Sequence, residues 1–438
     1  MFKTLQNAFK IKDIRDRLLY TFLMLVVIRI GSQLPIPGVK TTFFAELFAK
    51  QNNDAFGFFN TITGGSFTNM SVFALSITPY ITSSIIMQLL TIAIPKLEEM
   101  QREGEDGRKK IAEYTRYMTV GLALMQSIAM SVGFGGQGLL INYNAVSVIV
   151  AVAAMTSGSA MLMWIGERIT ENGVGNGISI VLLFNIISSL PSDMITLYER
   201  FLSGKSVAVG TVSAIIIAAV IGAVVVFVII LQDGIRNIPV QYSKKMQGRK
   251  MVGGQSSNIP LRVNTAGVIP VIFASSLMSF PVVIAQFFNV DYSTIGGKIL
   301  LMLSSNSWFR PERPWYSVGV VLYVVMIVLF AYFYTSITFN PLEIANNMKK
   351  AGGFIPGIRP GKPTSDYLNN ILNYIVFIGA CGLIVVCLVP IVISGLFNVS
   401  RLSFGGTSLI IIVGVVLETL KQIESKMVVR SYKGFLND

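Results

Sequence analysis

Long apolar segments separated by short polar ones run along most of the chain. A helix needs about 20 predominantly apolar residues to cross the hydrocarbon core of a bilayer, and this requirement selects ten candidate spans. In chain order, the candidates are residues 18–34, 70–94, 117–134, 145–165, 176–190, 210–231, 264–288, 316–337, 370–394 and 405–418. The pattern therefore predicts an all-α polytopic membrane protein with ten transmembrane helices.

Composition agrees with this class and limits the chemistry. Of the 438 residues, 53% are apolar and 13% are charged, whereas ordinary soluble domains carry about 25% charged residues. The chain contains no His, which excludes His-based catalysis and His metal ligands. Cys381 and Cys387 lie in one apolar span and match neither a zinc nor a redox spacing, so we interpret them as packing residues. No metal, cofactor or catalytic residue is indicated.

The basic residues are divided unequally between the two sides of the predicted bundle. Of the 35 Lys and Arg residues, 26 fall in the terminal segments and the loops on their side, eight fall in the opposite loops, and Arg29 lies within the first span. Because Lys- and Arg-rich loops stay in the cytoplasm, both termini are expected to be cytoplasmic. Residues 1–17 are expected to form a short amphipathic helix on the membrane surface, and Arg29 to snorkel or to contact a neighbouring helix.

The stretch from Asp54 to Pro95 departs most from a smooth lipid-facing span. It begins with a short apolar piece, interrupted by Gly64 and Gly65, and continues as a span that carries Pro79 and a run of Ser and Thr. Irregular backbone at membrane depth is tolerated only where it is buried in protein or lines a water-filled cavity. We therefore predict that this stretch closes a pore.

Similar irregularities recur when the ten spans are divided into two sets of five. The second span of each set carries Pro79 or Pro270 and Pro281, and the fifth span of each set begins on glycines, at 173–177 and 405–406. Matching interrupted spans in two halves indicate a central site between inverted repeats, although Gly and Pro are also common in membrane helices. We expect an N-terminal half over 1–191, an external hinge connection over 192–209 and a C-terminal half over 210–438.

The broken spans carry branched apolar residues where a transporter would carry ionisable ones. Ile77 and Ile81 are four residues apart and share a helix face, as do Ile178 and Leu182. A narrow apolar constriction excludes water and ions by dewetting. Taken singly, an Ile in such a span is more typical of packing, and spacing alone does not select these positions.

Six segments closely resemble the bacterial SecY family, the central subunit of the protein-conducting translocase. They are QLPIPGV at 33–39, FALSITPYITSSIIMQLL at 73–90, GERITENGVGNGISI at 166–180, VNTAGVIPVIFASSL at 263–277, GGFIPGIRPGKPT at 352–364 and FGGTSLIIIV at 404–413. The resemblance runs nearly end to end. It implies two inverted five-helix halves around a central hourglass pore, which translocates unfolded secretory polypeptides across the cytoplasmic (inner) membrane and releases membrane segments sideways into lipid.

The resemblance also implies roles for particular residues. The pore ring of the family falls on Ile77, Ile81, Ile178, Leu182, Ile272 and Ile411. Leu182 stands where other members carry Ile, a change that keeps the size and apolar character. The plug that seals the outer funnel corresponds to about 56–67, with Phe59, Ile62, Gly64 and Gly65. The lateral gate lies between spans two and three and spans seven and eight, and Gln88, Ser275, Ser276 and Phe280 fall at or near it.

The long basic loops 232–263 and 338–369 have two interpretations. In the first, their positive charge sets the membrane topology and attracts anionic lipid headgroups. In the second, which the resemblance implies, the loops bind the SecA motor and the RNA of the ribosome. The candidate docking residues are Lys244, Lys245, Arg249, Lys250 and Arg359. The resemblance further implies SecE and often SecG as membrane partners, and signal sequences, nascent polypeptides and membrane lipids as contacts of the gate.

The chain is not expected to be an enzyme. GIRPGKPT superficially suggests a phosphate-binding loop, but Pro356 and Pro363 occupy positions where that motif requires Gly and Ser or Thr. Energy for transport must then come from a partner. The alternative function is an inverted-repeat secondary solute transporter, which would depend on a titratable residue within the membrane.

Overall fold

The computed structural model describes residues 9–44, 46, 60, 62–199, 207–242, 245–247, 250–252, 256–287, 294–304, 308–309, 314–397 and 406–434. Within these residues, one helix coincides with each of the ten predicted spans. These helices are α1 (Lys12–Gly31), α2 (Thr78–Ala93), α4 (Glu105–Phe134), α5 (Ala145–Asn172), α6 (Gly177–Leu197), α7 (Val207–Asp233), α8 (Ile269–Phe287), α10 (Val318–Thr338), α12 (Lys362–Phe397) and α13 (Gly406–Gly434). The prediction of a ten-helix membrane protein is confirmed.

Shorter elements connect the spans. Three more helices are α3 (Pro95–Arg102), α9 (Ile295–Leu303) and α11 (Pro341–Lys350), and the strands are β1 (Ile235–Tyr242), β2 (Lys245–Gln247), β3 (Lys250–Val252), β4 (Ser256–Arg262) and β5 (Gly353–Phe354). The strands form an antiparallel sheet of order β4–β1–β5 and a separate β2–β3 hairpin. The sequence pattern indicated only loops here. Ile238, Val240 and Leu261 of the sheet pack against α11 and the start of α12, so these loops have their own apolar core.

Several predicted boundaries are wrong for one physical reason. Helices continue beyond their apolar segments as amphipathic or polar helices, as α13 does from the predicted end at 418 to Gly434 and α4 does from Glu105 to the predicted start at 117. The tenth span is therefore short only in its apolar part. The helix α6 likewise continues beyond the predicted end at 190 to Leu197, and α7 begins at Val207, before the predicted start at 210.

The interpretation of Pro79 as an interruption within the second span is also wrong. The helix begins at Thr78, and Pro79 lies in its first turn, where its missing N–H is not needed. Residues 64–77 before it form turns, with a positive φ at Met70 and Ser76. The sharp change of direction comes at the other end of α2, where α3 is bent away by 107°. Pro270 likewise lies in the first turn of α8, whereas Pro281 lies inside it.

Helix packing repeats between the first five spans and the second five. In the first set, the second span packs on the third, the third on the fourth, the fourth on the fifth and the first on the fourth, as α2–α4, α4–α5, α5–α6 and α1–α5. The same order recurs as α8–α10, α10–α12, α12–α13 and α7–α12. The most extensive contact between the two sets is that of α6 with α13. The contact order of the two sets is therefore similar but not identical, because α7 also packs on α13, a contact that has no counterpart of similar extent between α1 and α6 among the described residues.

The spans differ in their capacity to cross a membrane alone. Within the described part of the chain, five helices are long and apolar enough by themselves, and they cover Glu105–Leu139, Ala145–Asn172, Ala214–Asp233, Trp315–Lys350 and Lys362–Ile393. The bent pair α2–α3 is a sixth candidate, whereas Gly177–Ser192 and Ile269–Met278 are shorter apolar helices. The short helices α2, α6 and α8, together with α13, are the second and fifth spans of the two halves.

Candidate functional site

The second and fifth spans of both halves contribute to one apolar cluster, together with the first and fourth spans of the first half. We call it the central apolar cluster. Its buried members are Ile28, Phe73, Ile77, Leu162, Ile165, Ile169, Ile180, Val181, Ile186, Ile411 and Val415. Ile81, Ile178 and Ile272 are partly buried against it. Apolar side chains from the second and fifth spans of both halves therefore pack together, with further members from α1 and α5.

Five of the six predicted ring residues belong to or pack on this cluster. Ile77 is 0% exposed and Ile411 is 4% exposed, and Ile81, Ile178 and Ile272 contact the same group. Leu182 is also buried, at 8% exposure, but it is not a member of the cluster. The structure thus brings together five ring candidates from distant parts of the chain, between Ile77 and Ile411.

The glycine-rich loop before α6 places Ile178 against the fourth span. Asn176 caps the helix, because its side-chain oxygen accepts hydrogen bonds from the backbone N–H groups of Ile178 and Ser179 at 3.1 and 3.3 Å. A Cβ at Gly177 would lie 1.9 Å from the Gly166 carbonyl oxygen, so only glycine permits this approach of α6 to α5. The loop is held from the first span by Thr21, whose hydroxyl oxygen accepts a hydrogen bond from the Val174 N–H at 3.2 Å.

The described end of the predicted plug lies against α6. Ile62 is buried at 5% exposure, although it is not part of the central apolar cluster, and Phe59 lies outside the described residues. Gly64 and Gly65 have φ values of +62° and +84°. A Cβ on Gly64 would lie 2.7 Å from the Ser188 hydroxyl oxygen, whereas one on Gly65 would meet nothing within 4 Å. Gly64 is therefore the point of close contact with α6.

A polar network surrounds this contact. Arg29 Nη1 donates hydrogen bonds to the Gly64 carbonyl oxygen at 3.1 Å and to Ser188 Oγ at 3.2 Å. One turn away on α6, Asn185 Nδ2 donates to Ser76 Oγ at 3.1 Å. Ser159 Oγ of α5 donates to the Ser76 carbonyl oxygen, also at 3.1 Å. These bonds join the first, fourth and fifth spans to Gly64 within the plug segment and to Ser76 after it.

Sequence patterns did not indicate Ser76, Ser159, Asn185 or Ser188. A usable signal is present in Asn185, because a buried amide within an apolar helix must find a hydrogen-bond partner. Arg29 contacts a neighbouring helix, as expected, and also the backbone of the plug segment, which was not expected.

The predicted lateral gate lies where the halves make less contact. Among the described residues, α2 packs extensively on α4 and α8 on α10, whereas no comparably extensive contact joins one pair to the other. Gln88 and Ser276 are exposed, and Ser275 is within 3.2 Å of the Tyr323 hydroxyl, a hydrogen bond within the α8–α10 pair. The side chain of Phe280 lies outside the described part of the structure.

The predicted docking residues occupy the structured loops after the sixth and eighth spans. Lys245 and Lys250 lie in the β2–β3 hairpin, and Lys244 and Arg249 lie outside the described residues. Arg359 is exposed on the loop between β5 and α12. The Thr364 hydroxyl donates a 2.8 Å hydrogen bond to the Arg359 carbonyl oxygen, and Gly357 and Gly361 on either side have positive φ values. The loop therefore presents Arg359 on a defined backbone.

These features define a class of protein: a ten-helix membrane protein whose two halves close on an apolar constriction, with a short polypeptide segment packed beside it. Comparison with known proteins identifies the family. The family model described as SecY matches residues 71–420, and the chain belongs to this family.

Full-length relatives agree with the family model. The chain is 44% identical to the protein translocase subunit SecY of Halalkalibacterium halodurans and 42% identical to that of Bacillus subtilis (strain 168), with 100% of both chains covered in each case. The SecY subunit of Streptomyces coelicolor is also 44% identical over the full length of both chains.

Solved structures share the fold at low sequence identity. One, described as the structure of a protein conducting channel, has a TM-score of 0.62 and 18% identity and covers 94% of this chain and 93% of its own. Sec61 in the canine ribosome–channel complex from the endoplasmic reticulum has a TM-score of 0.58 and 17% identity, with coverages of 94% and 93%. At this identity the likeness concerns the fold.

Proposed function

We propose that the chain is the pore subunit of a protein-conducting channel, which passes unfolded secretory polypeptides across the cytoplasmic membrane and releases membrane segments sideways into lipid. One observation carries this proposal: five of the six ring candidates, which come from the second and fifth spans of both halves, share the central apolar cluster with side chains of α1 and α5. Membership of a family of translocase subunits supports it.

An apolar constriction suits a polypeptide cargo. A nascent chain presents every type of side chain in turn, so a fixed set of polar ligands cannot bind it. Branched aliphatic side chains can separate around any residue and close again behind it, and in the closed state their ring excludes water and ions by dewetting. A solute transporter would instead place ionisable groups at this depth, whereas the segments 77–93, 177–190, 269–287 and 406–417, which carry the ring candidates, hold no Asp, Glu, Lys or Arg.

We assign the ring to Ile77, Ile81, Ile178, Leu182, Ile272 and Ile411, and the plug to about 56–67. The seam between α2–α4 and α8–α10 is the proposed lateral gate, because the extensive contacts lie within each helix pair. A signal sequence binds the open seam beside lipid better than the closed one, and this difference shifts the equilibrium toward the open channel.

The basic loops are the proposed docking surface for cytoplasmic partners. We place both termini and these loops in the cytoplasm, since 26 of the 35 basic residues lie on that side. Arg359 and the β2–β3 hairpin would contact the SecA motor or ribosomal RNA, and SecE and SecG would be membrane partners. The chain itself would hydrolyse no ATP. The division into halves would fall within 192–209.

Reconstitution tests the function directly. The full chain, purified in mild detergent with the membrane subunits that stay bound, is placed in lipid vesicles with an ATP-driven motor and a secretory polypeptide. We expect the polypeptide to become protected from added protease only when motor and ATP are present. Saturable uptake of a small solute, without protection of any polypeptide, would instead establish the transporter alternative.

A further inference from the structure

We propose that Arg29 is a latch that holds the described end of the plug, residues 62–67, in the closed position. The inference rests on the proposed function, because it assumes that this segment seals a channel. It assigns a role to a charge within the first span, where a charged group is costly and is usually retained for a purpose.

The latch is built from three elements that lie far apart in the chain. Arg29 on α1 donates from one terminal nitrogen to the Gly64 carbonyl oxygen at 3.1 Å and to Ser188 Oγ on α6 at 3.2 Å. Ser188 Oγ also lies 2.7 Å from the Asn185 carbonyl oxygen and 3.5 Å from that of Gly64. The guanidinium therefore joins the plug segment to the wall of the first half.

The backbone of the plug segment is shaped for this contact. At Gly64, φ is +62°, a conformation that residues with a Cβ rarely adopt. A Cβ there would also lie 2.9 Å from the Asn185 carbonyl oxygen. Glycine thus allows the segment to lie close enough to α6 for its carbonyl to reach Arg29.

The same chemistry explains how the latch can release. In the closed channel Arg29 is partly buried, and a charged donor that loses its acceptor there would be left poorly solvated. When a polypeptide opens the channel and water enters, water replaces the Gly64 carbonyl as acceptor. The latch is therefore strong in the closed state and weak in the hydrated open state, which makes opening depend on the arrival of cargo.

The test is the ion conductance of the resting channel. The full chain with its bound membrane subunits is incorporated into planar bilayers without motor or cargo, and Arg29→Met is compared with the wild-type protein and with Arg15→Met. Arg15 lies on the same helix, exposed and near Asp16. Loss of a hydrogen bond to a charged group predicts roughly a 10- to 100-fold increase in conductance for Arg29→Met, and wild-type conductance for Arg15→Met.

A second variant separates a latch from a simple bridge between helices. Ser188→Ala removes the contact between α1 and α6 and the long 3.5 Å contact of Ser188 with Gly64, but it keeps the shorter bond from Arg29 to the Gly64 carbonyl, so it should leak much less than Arg29→Met. Equal leakage from both variants, with equal loss of thermal stability, would overturn the proposal in favour of a structural bridge. Wild-type conductance in Arg29→Met would overturn it outright.

Two further outcomes are decided in the same preparation. If Arg29→Met does not assemble, it is replaced by Arg29→Gln, which keeps an amide donor but loses the charge and the length of the side chain. Raised resting conductance of Arg29→Gln supports the latch, and unchanged conductance overturns it. Translocation by the wild-type protein is measured in parallel. If the wild type translocates and Arg29→Met is ion-tight, only the latch is wrong, whereas a wild type that moves no polypeptide refutes the proposed function itself.

Discussion

At the scale of single residues, the constriction depends on shape and lack of polarity rather than on any reactive group. Ile77 and Ile411 are almost completely buried, and Ile178 is held against α5 by the cap at Asn176 and by the absence of a side chain at Gly177. A ring of this kind seals because water gains too few hydrogen-bond partners to remain in a narrow apolar passage.

Introducing a hydroxyl into the ring should therefore weaken the seal. We expect Ile178→Ser to raise the resting ion conductance of bilayers containing the channel severalfold, because serine offers water a partner and removes much of the apolar bulk. Ile187→Ser is the matched control, since Ile187 lies on the same helix but is 41% exposed. Equal conductance in the two variants would contradict the assignment of Ile178 to the ring.

At the scale of elements, much of the candidate site lies on irregular backbone or on helices that begin directly after it. Residues 64–77 form turns rather than the helix predicted from 70, and α6 and α13 begin on glycines. Such backbone survives at membrane depth because protein surrounds it and satisfies its polar groups, as Arg29 and Ser159 do here for the carbonyl oxygens of Gly64 and Ser76.

The two adjacent glycines of the plug segment offer a comparison within one element. Both have positive φ, so replacement by alanine strains the backbone at either position. Only Gly64 contacts α6, and its added Cβ would collide with Ser188 and Asn185. We expect Gly64→Ala to leak about fivefold more ions than Gly65→Ala, corresponding to about 1 kcal/mol of extra destabilisation of the closed state. Similar leakage would show that the contact with α6 does not hold the plug.

The elements also show what could be predicted from the sequence and why the remainder could not. Hydropathy located all ten spans, because the bilayer imposes a length on apolar segments. It misplaced the ends of α4 and α13, since a helix can continue into water with an amphipathic pattern. The strands β1 and β4 were missed because each is short, largely polar and carries a proline, Pro239 or Pro260, which is uncommon within strands.

The contacts of Arg29 could not be predicted for a different reason. They join residues 35 and 159 positions away, and they depend on a positive φ at Gly64 that no periodic pattern encodes. The ring residues became identifiable only through the family resemblance, because isoleucine is abundant throughout the spans. Their convergence required the packing of both halves.

At the scale of the whole molecule, the two halves are joined unequally around the centre. The contact of α6 with α13 is supported at the end of the molecule that carries the basic loops, which we call the basic end. There, a Cβ added to Gly175 would lie 2.9 Å from Thr419 Oγ1, and Val174 packs with Ile423. Among the residues that the structure describes, the α2–α4 and α8–α10 pairs lack a contact of similar extent with each other. Separation of the halves would therefore begin at that seam while the α6–α13 side stays closed.

In the proposed function, an external energy source acts at the end of the molecule that carries the basic loops, and a variant of Arg359 tests this proposal. We expect Arg359→Glu to abolish motor-driven translocation in reconstituted vesicles, because reversing an exposed charge on a well-defined loop repels an acidic partner surface. The channel should remain folded and inserted, since the Thr364 hydrogen bond uses the backbone of residue 359 rather than its side chain. Lys298→Glu makes the same change of charge on α9, at the opposite end, and should translocate normally. Normal translocation by Arg359→Glu would exclude this loop as the docking site, whereas equal loss in both variants would point to net charge rather than to a specific surface.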